Sequence, residues 1–189
     1  MDASYIIIGI LILIVAYLVY SYNHLIVMRN MVDTSYSNID TLLQKRFDLV
    51  PNLVSTVKGY MNHERELLEA VTKARSDWMN ASTIQENAGA DNIAAKALKS
   101  IFAVAENYPD LKANKNFLML QEELVGIENK IAYARQRYNR TVLDLNNAIQ
   151  KFPTNIVAHY FKFQNKEFFE VESGKVREVP QVKIYDGEN

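Results

Sequence analysis

Apolar residues run without interruption over residues 5–20 (YIIIGILILIVAYLVY) and then recur at three- and four-residue steps through most of the chain. After the run, Tyr22, Leu25, Ile26, Arg29, Val32, Tyr36, Ile39 and Leu43 keep the period of an amphipathic helix. Pro51 lacks a backbone donor and pushes Val50 out of helical geometry, so the pattern predicts a break at residues 47–50, with Asp48 placed to cap a new helix. A second helix is expected over residues 51–79, with Leu53, Val54, Val57, Tyr60, Met61, Leu67, Leu68, Val71 and Trp78 on its apolar face. Residues 80–92 (NASTIQENAGADN) show no period and read as a loop. A third helix follows over residues 91–106, its stripe (Ile93, Ala97, Ile101, Val104) thin and alanine-rich, and Tyr108-Pro109-Asp110 ends it.

The fourth helix, over residues 114–151, carries the strongest pattern. Phe117, Leu124, Ile131, Tyr138, Leu145 and Phe152 fall seven apart, and Leu120, Ile127, Ala134, Thr141 and Ala148 fill the second seam position. Sustained heptads fit packing within one bundle, or an intermolecular coiled coil. Phe152-Pro153 closes the helical region. The remainder holds Tyr160, Phe161, Phe163, Phe168 and Phe169, then residues 179–184 (VPQVKI), and is too aromatic for a disordered tail. It reads as an irregular arm with a short extended end. The pattern as a whole predicts an all-α chain: a transmembrane anchor (1–22), a continuing antiparallel four-helix bundle (23–152), and a C-terminal aromatic arm (153–189).

The run at residues 5–20, extended by Ser21 and Tyr22, spans about 27 Å as a helix, just enough for a bilayer core. Tyr5 at one end and Tyr17, Tyr20 and Tyr22 at the other resemble interfacial aromatic belts. A cleaved signal peptide needs a basic start and a small-x-small site. Residues 1–4 contain no Lys or Arg, and residues 17–22 offer no such site. An uncleaved anchor is therefore expected, the rivals being a signal peptide and a buried core helix. With Asp2 before the span and Arg29 after it, the positive-inside bias places the N-terminus outside and the bulk of the chain in the cytoplasm, as a single-pass membrane protein.

Composition narrows the chemistry. The net charge of −1 gives no global field for nucleic acid, and basic residues are interspersed with acidic ones. There is no cysteine, which removes disulfides, thiol catalysis and thiolate metal sites. His63-Glu64 suggests a metalloprotease motif, but the position four after His63 is Leu67. His24, His63 and His159 are scattered, no glycine-rich phosphate loop exists, and no serine elbow appears. No cofactor and no metal site are expected.

Two asparagine pairs remain. Asn23 and Asn30, and Asn139 and Asn146, are each seven apart, so each pair lies on one helix face. If helix one leaves the membrane and helix four returns, Asn23 falls near Asn146 and Asn30 near Asn139. Amides between helices select a register, although solvated asparagines would look the same. The same topology gathers Arg29, Arg135, Arg137, Arg140, Lys151, Lys162 and Lys166 near the membrane, where each could add about 1 kcal/mol against anionic lipid. A plain solvated face is the alternative. Phe168 and Phe169, with Phe161 and Phe163, either fill gaps in the bundle or make the arm a membrane or partner contact.

The chain resembles the LemA family of bacterial membrane-anchored proteins. The blocks that carry the resemblance are residues 22–26 with Arg29-Asn30, Ile39-Asp40, residues 45–54 (KRFDLVPNLV), residues 57–60 with His63-Glu64, residues 108–114 (YPDLKAN), residues 121–124, residues 137–139, and Phe152-Pro153. Phe168-Phe169-Glu170 and residues 180–182 (PQV) extend it into the arm. The resemblance spans roughly residues 20–184. It implies an anchored helical bundle without enzyme activity or cofactor. Some members of the family are associated with magnetosome membrane formation, and others lie near membrane proteases or quality-control proteins. The expected function is a non-enzymatic scaffold or adaptor at the bilayer, with a membrane-protein partner such as a quality-control protease. The alternatives are a homo-oligomer that organises or remodels membrane, and a metal-dependent hydrolase built on His63.

Overall fold

The computed structural model describes residues 3–61 and 63–169. Its elements are all helical: α1 (Ala3–Val57), α2 (Arg65–Asn80), α3 (Ile84–Ala105), α4 (Pro109–Lys112), α5 (Lys115–Gln150) and α6 (Thr154–Tyr160). No strand occurs among the described residues.

α1 is one continuous helix of 55 residues. At about 1.5 Å per residue it is roughly 80 Å long. The large side chains of residues 5–15 are exposed all round, Leu13 at 71 %, whereas Tyr17, Leu18 and Val19, still largely exposed, lie beside α6. Among the described residues one helix is long and apolar enough to cross a membrane, and it begins near the N-terminus. From Ser21 onward the burial becomes one-sided: Leu25, Val32, Ile39, Leu43, Phe47, Val50, Leu53 and Val57 are buried. Their three-, four- and seven-residue steps keep one stripe on one face.

Pro51 does not break α1. The expected break at residues 47–50 is absent, and helix runs through the proline to Val57. Proline at 51 leaves the Phe47 carbonyl, four residues earlier, without its usual donor. Arg75 on α2 supplies one: its Nε donates to that carbonyl at 3.1 Å. The second helix therefore starts at Arg65 and not at Pro51.

α3 begins seven residues earlier than the apolar stripe suggests. Thr83 and Glu86 form a capping box inside the segment expected to be a loop. The Thr83 hydroxyl accepts from the Glu86 amide at 3.2 Å, and the Glu86 carboxylate accepts from the Thr83 amide at 3.0 Å. The expected stripe keeps Ala97 and Ile101 but is replaced at its two ends, where Ala94 and Ala105 are buried in place of Ile93 and Val104. Ile93 is exposed, whereas Ala94, Ala97, Leu98, Ile101 and Ala105 are buried. Small side chains let α2 and α3 pack closely, with Leu68, Val71 and Ala74 facing them.

α5 follows its heptads. Asn114 caps it by accepting from the amides of Asn116 and Phe117, and Phe117, Leu124, Ile131, Tyr138 and Leu145 are all buried. Phe152, the last member of that series, is 80 % exposed because the helix has already ended at Gln150. α5 is the main partner of α1. Tyr36 meets Tyr138 at a ring separation of 5.9 Å, and Arg46 further up α1 meets Glu128 further back on α5. α6, a short helix the sequence pattern did not indicate, packs on both α1 and α5.

Candidate functional site: a clasped arm over a buried charge cluster

The chemistry-bearing side chains converge on the middle of α1, α3 and α5. Asp91 on α3 is fully buried, on the same face as Ala88, Ala94 and Leu98. A carboxylate there requires cations, and two arrive. Arg46 of α1, also fully buried, donates through Nη1 to one Asp91 oxygen, and Arg135 of α5 donates through Nη2 to the other. Arg46 reaches Glu128 with Nη2, and Arg135 adds a contact of 3.4 Å to the Asn92 side chain. Burial pulls the Arg46 guanidinium below its ordinary pKa, and the Asp91 charge opposes that shift. Both oxygens of Asp91 are thus occupied by guanidinium groups, and three helices are tied by one carboxylate.

The arm closes over this cluster. The Arg135 guanidinium lies 4.9 Å from the centre of the Phe169 ring, a cation–π contact on a ring that is itself buried. Asn139, one turn along α5, holds Phe169 from both sides: its Oδ1 accepts from the Phe169 amide at 2.8 Å and its Nδ2 donates to the Phe169 carbonyl at 3.2 Å. Asn146 treats Lys166 the same way, at 2.9 Å in each direction. Between them the Tyr138 hydroxyl donates to the Glu167 carbonyl at 2.8 Å. Burial, then the nearby Tyr36, Asp33 and Glu167, push the Tyr138 hydroxyl up to about 12. Gln85 of α3 also bonds Glu167, and Lys166 pairs with Asp33 of α1 at 3.2 Å.

The asparagine expectation is therefore corrected. Asn139 and Asn146 pair with arm backbone, while Asn23 and Asn30 are exposed on α1 and take no part in these bonds. The physical reason is that a carboxamide offers one donor and one acceptor side by side, which matches the amide and carbonyl of one extended residue. Repeating that match seven residues apart along α5 seats two arm residues three apart. Phe169 is core, so it is not free for an outside contact. Phe168 is 39 % exposed, and Phe163 is half-buried beneath Arg29 at 5.9 Å. The extended end expected at residues 179–184 lies outside the described residues.

Asp91 is the residue that sequence reasoning missed. It stood at the start of the expected third helix, and its signal was a lone carboxylate on an alanine-rich apolar face. Arg135, expected near the membrane, is instead 12 % exposed in the interior. His63 is exposed, and among the described residues no three histidine or acidic side chains gather as metal ligands would. The cluster holds helices together and has no free nucleophile or open coordination position.

The sequence model of the LemA family matches residues 35–184, a range that takes in Arg46, Asp91, Arg135, Asn139, Asn146 and Phe169. The chain belongs to the LemA family. Among its relatives, Protein LemA of Metamycoplasma hominis is 30 % identical over 153 residues, covering 78 % of this chain and 68 % of that protein. Magnetosome protein MamQ 2 of Paramagnetospirillum magneticum is 24 % identical over 182 residues, covering 82 % of this chain and 67 % of the relative. Magnetosome protein MamQ of Magnetospirillum gryphiswaldense is 24 % identical over 174 residues, with 78 % and 64 % covered. The charge cluster and the clasped arm thus lie inside the part of this chain that marks it as a LemA protein, and the exposed apolar start of α1 lies before it.

Proposed function

We propose that this LemA-family chain is a non-enzymatic scaffold that stands an antiparallel four-helix bundle, built from α1, α2, α3 and α5, on one membrane helix and presents it to a membrane-protein partner. The observation that carries the reading is the continuity of α1. The same helix exposes its apolar side chains at residues 5–20 and contributes the core stripe from Leu25 to Val57. A helix without a hinge fixes the bundle at the bilayer surface, and a partner reached there is itself at the membrane. The internal use of Arg46, Asp91 and Arg135 favours a structural role over catalysis. The reading places the N-terminus outside and the bundle in the cytoplasm, and a quality-control protease fits as partner.

A second reading, a membrane-organising oligomer, draws on the relatives named as magnetosome proteins and on exposed apolar side chains of α5, among them Leu118, Met119, Val125 and Tyr133. Photo-crosslinking residues placed at Met119 and Tyr133 in living cells test both. Capture of a distinct membrane protein supports the scaffold. Capture of this chain alone supports the oligomer, and no capture from either position counts against both. Protease added to spheroplasts should spare the bundle, and its digestion from outside would reverse the proposed orientation.

A further inference from the structure

α6 and the residues around it sit at the end of the apolar run. The Tyr17 hydroxyl is 3.3 Å from the Thr154 hydroxyl, and the Tyr22 and Phe161 rings are 4.6 Å apart. The segment is therefore level with the last turn of the exposed apolar stretch of α1 and the turn that follows it. One face of α6 packs inward through the buried Val157 and Ala158. The exposed side carries Ile156 and Tyr160, at 58 and 77 %, with Phe152 just before the helix at 80 % and Phe161 just after it at 50 %. Ile156 and Tyr160 are four apart and lie one above the other. With Leu18, Val19 and Tyr22 of α1, Ile156, Tyr160 and Phe161 line one apolar groove.

Charge distinguishes this end of the molecule. Neither residues 3–32 nor residues 145–166 contain an Asp or Glu, while Arg29, Lys151 and Lys162 are present and exposed. Lys166 at the upper edge is satisfied by Asp33, so the first carboxylates on α1 and on the arm mark where the bundle proper begins. The apolar run ends here: its 16 residues span about 24 Å, and about 27 Å with Ser21 and Tyr22, so the edge of a bilayer core of about 30 Å falls at the level of α6. Aromatic and aliphatic side chains beside its end, with cations around them, have the composition of an interfacial segment.

We propose that α6 with Phe152 and Phe161 is a second membrane contact: a foot that lies in the headgroup–acyl boundary of the leaflet on the bundle's side and takes phospholipid, with Arg29, Lys151 and Lys162 meeting lipid phosphates. It rests on the reading of α1 as a membrane anchor, and it holds for either orientation of the chain. The foot fixes the azimuth of the bundle relative to the surface, which a single helix cannot do.

The chain has no cysteine, so single cysteines label cleanly. Nitroxides are attached at Tyr20→Cys, Ile156→Cys and Met79→Cys of the full chain, reconstituted in phosphatidylcholine–phosphatidylglycerol vesicles. Their collision rates with oxygen and with a water-soluble nickel chelate are compared. The label at 156 is expected to be shielded from nickel several-fold relative to 79 and to resemble the label at 20. Adding Phe152→Glu and Tyr160→Glu should abolish that shielding at 156 without loss of helicity. A label at 156 as accessible to nickel as that at 79, with 20 still shielded, overturns the foot and leaves the anchor reading intact. Nickel access at 20 as well overturns both. Dipolar broadening between labels at 156 means that a second copy covers the face, and shielding that survives the two glutamates means that bundle atoms do; each result overturns the lipid contact.

Discussion

Replacing Asp91 by Asn tests the charge cluster most directly. The substitution keeps the shape and removes one negative charge from a site where Arg46 and Asp91 have no exposed surface and Arg135 has 12 %. Two guanidinium groups then face one another, with Glu128, 46 % exposed, as the remaining carboxylate on Arg46. Breaking one member of a buried ion pair costs about 3–5 kcal/mol, because the partner is left charged and dry. Glu128 offsets part of this, so the low end, about 3 kcal/mol, is expected. For a domain of this size each kcal/mol moves the midpoint by about 2–4 °C, so the melting temperature should fall by roughly 10 °C.

The assay is thermal unfolding followed by circular dichroism in detergent, with Asp33→Asn as the comparison. Asp33 pairs with Lys166 at the surface, both half-exposed, and such a pair is worth about 0–1 kcal/mol. Asp91→Asn should also loosen the arm, since Arg135 no longer needs to lie beneath Phe169, and proteolysis within residues 161–169 should quicken. Equal melting temperatures for Asp91→Asn and Asp33→Asn would refute the reasoning: the cluster would then be wet and the three helices would not depend on it.

Other outcomes follow from single contacts. Arg75→Ala should cost about 1.5 kcal/mol, as a charged donor to the Phe47 carbonyl is lost, and clearly less in a Pro51→Ala background, where a backbone amide replaces it; equal costs in urea unfolding exclude the proposed compensation. The Tyr138 hydroxyl, raised from 10.0 to about 12, is held protonated more tightly in the folded chain than in the unfolded one. Its contribution is therefore complete below pH 10 and is lost as pH rises towards 12, so wild type should lose stability over that window more steeply than Tyr138→Phe. Lys162 ends α6 at φ 57° with Lys162 N–H donating to His159 and Phe163 N–H to Ala158, the pattern usually closed by glycine, and Lys162→Gly should raise stability by about 0.5–1 kcal/mol; a lowered melting temperature would show that the lysine itself is needed.

How much of this was legible depends on how local the cause is. The apolar run and the α5 heptads are periodic, so burial at Phe117, Leu124, Ile131, Tyr138 and Leu145 follows from spacing alone. The start of α3 was also written in the chain: Thr83 and Glu86 have capping-box spacing, but the alanine-rich turn after them carries too little hydrophobic contrast for a periodicity reading to register it. Pro51 could not be resolved locally. Its effect depends on Arg75, 28 residues away, satisfying the Phe47 carbonyl. Asn139 and Asn146 were singled out for the right reason, a matched amide pair on one face, but their partner was the arm, and an extended segment announces no register of its own.

The block Lys45-Arg46-Phe47-Asp48, followed by Pro51, is the most densely charged part of α1 and invites a functional reading. Its structure argues otherwise. Arg46 goes inward to Asp91 and Glu128, the Phe47 ring stacks on Trp78 at 5.0 Å, and the Phe47 carbonyl takes Arg75. Three demands of Arg46 and Phe47 on α1 are thus met by α2, α3 and α5, so this stretch is the junction at which each other long described helix is fixed to the one that carries the apolar segment. If the chain is a scaffold, its rigidity originates here, about 40 Å along α1 from the last residue of the apolar run. Movement of a partner bound to the distal bundle would then be transmitted to the bilayer end through a helix that has no flexible joint between them, and the surface that distinguishes one partner from another must be sought on the exposed faces of α2, α3 and α5.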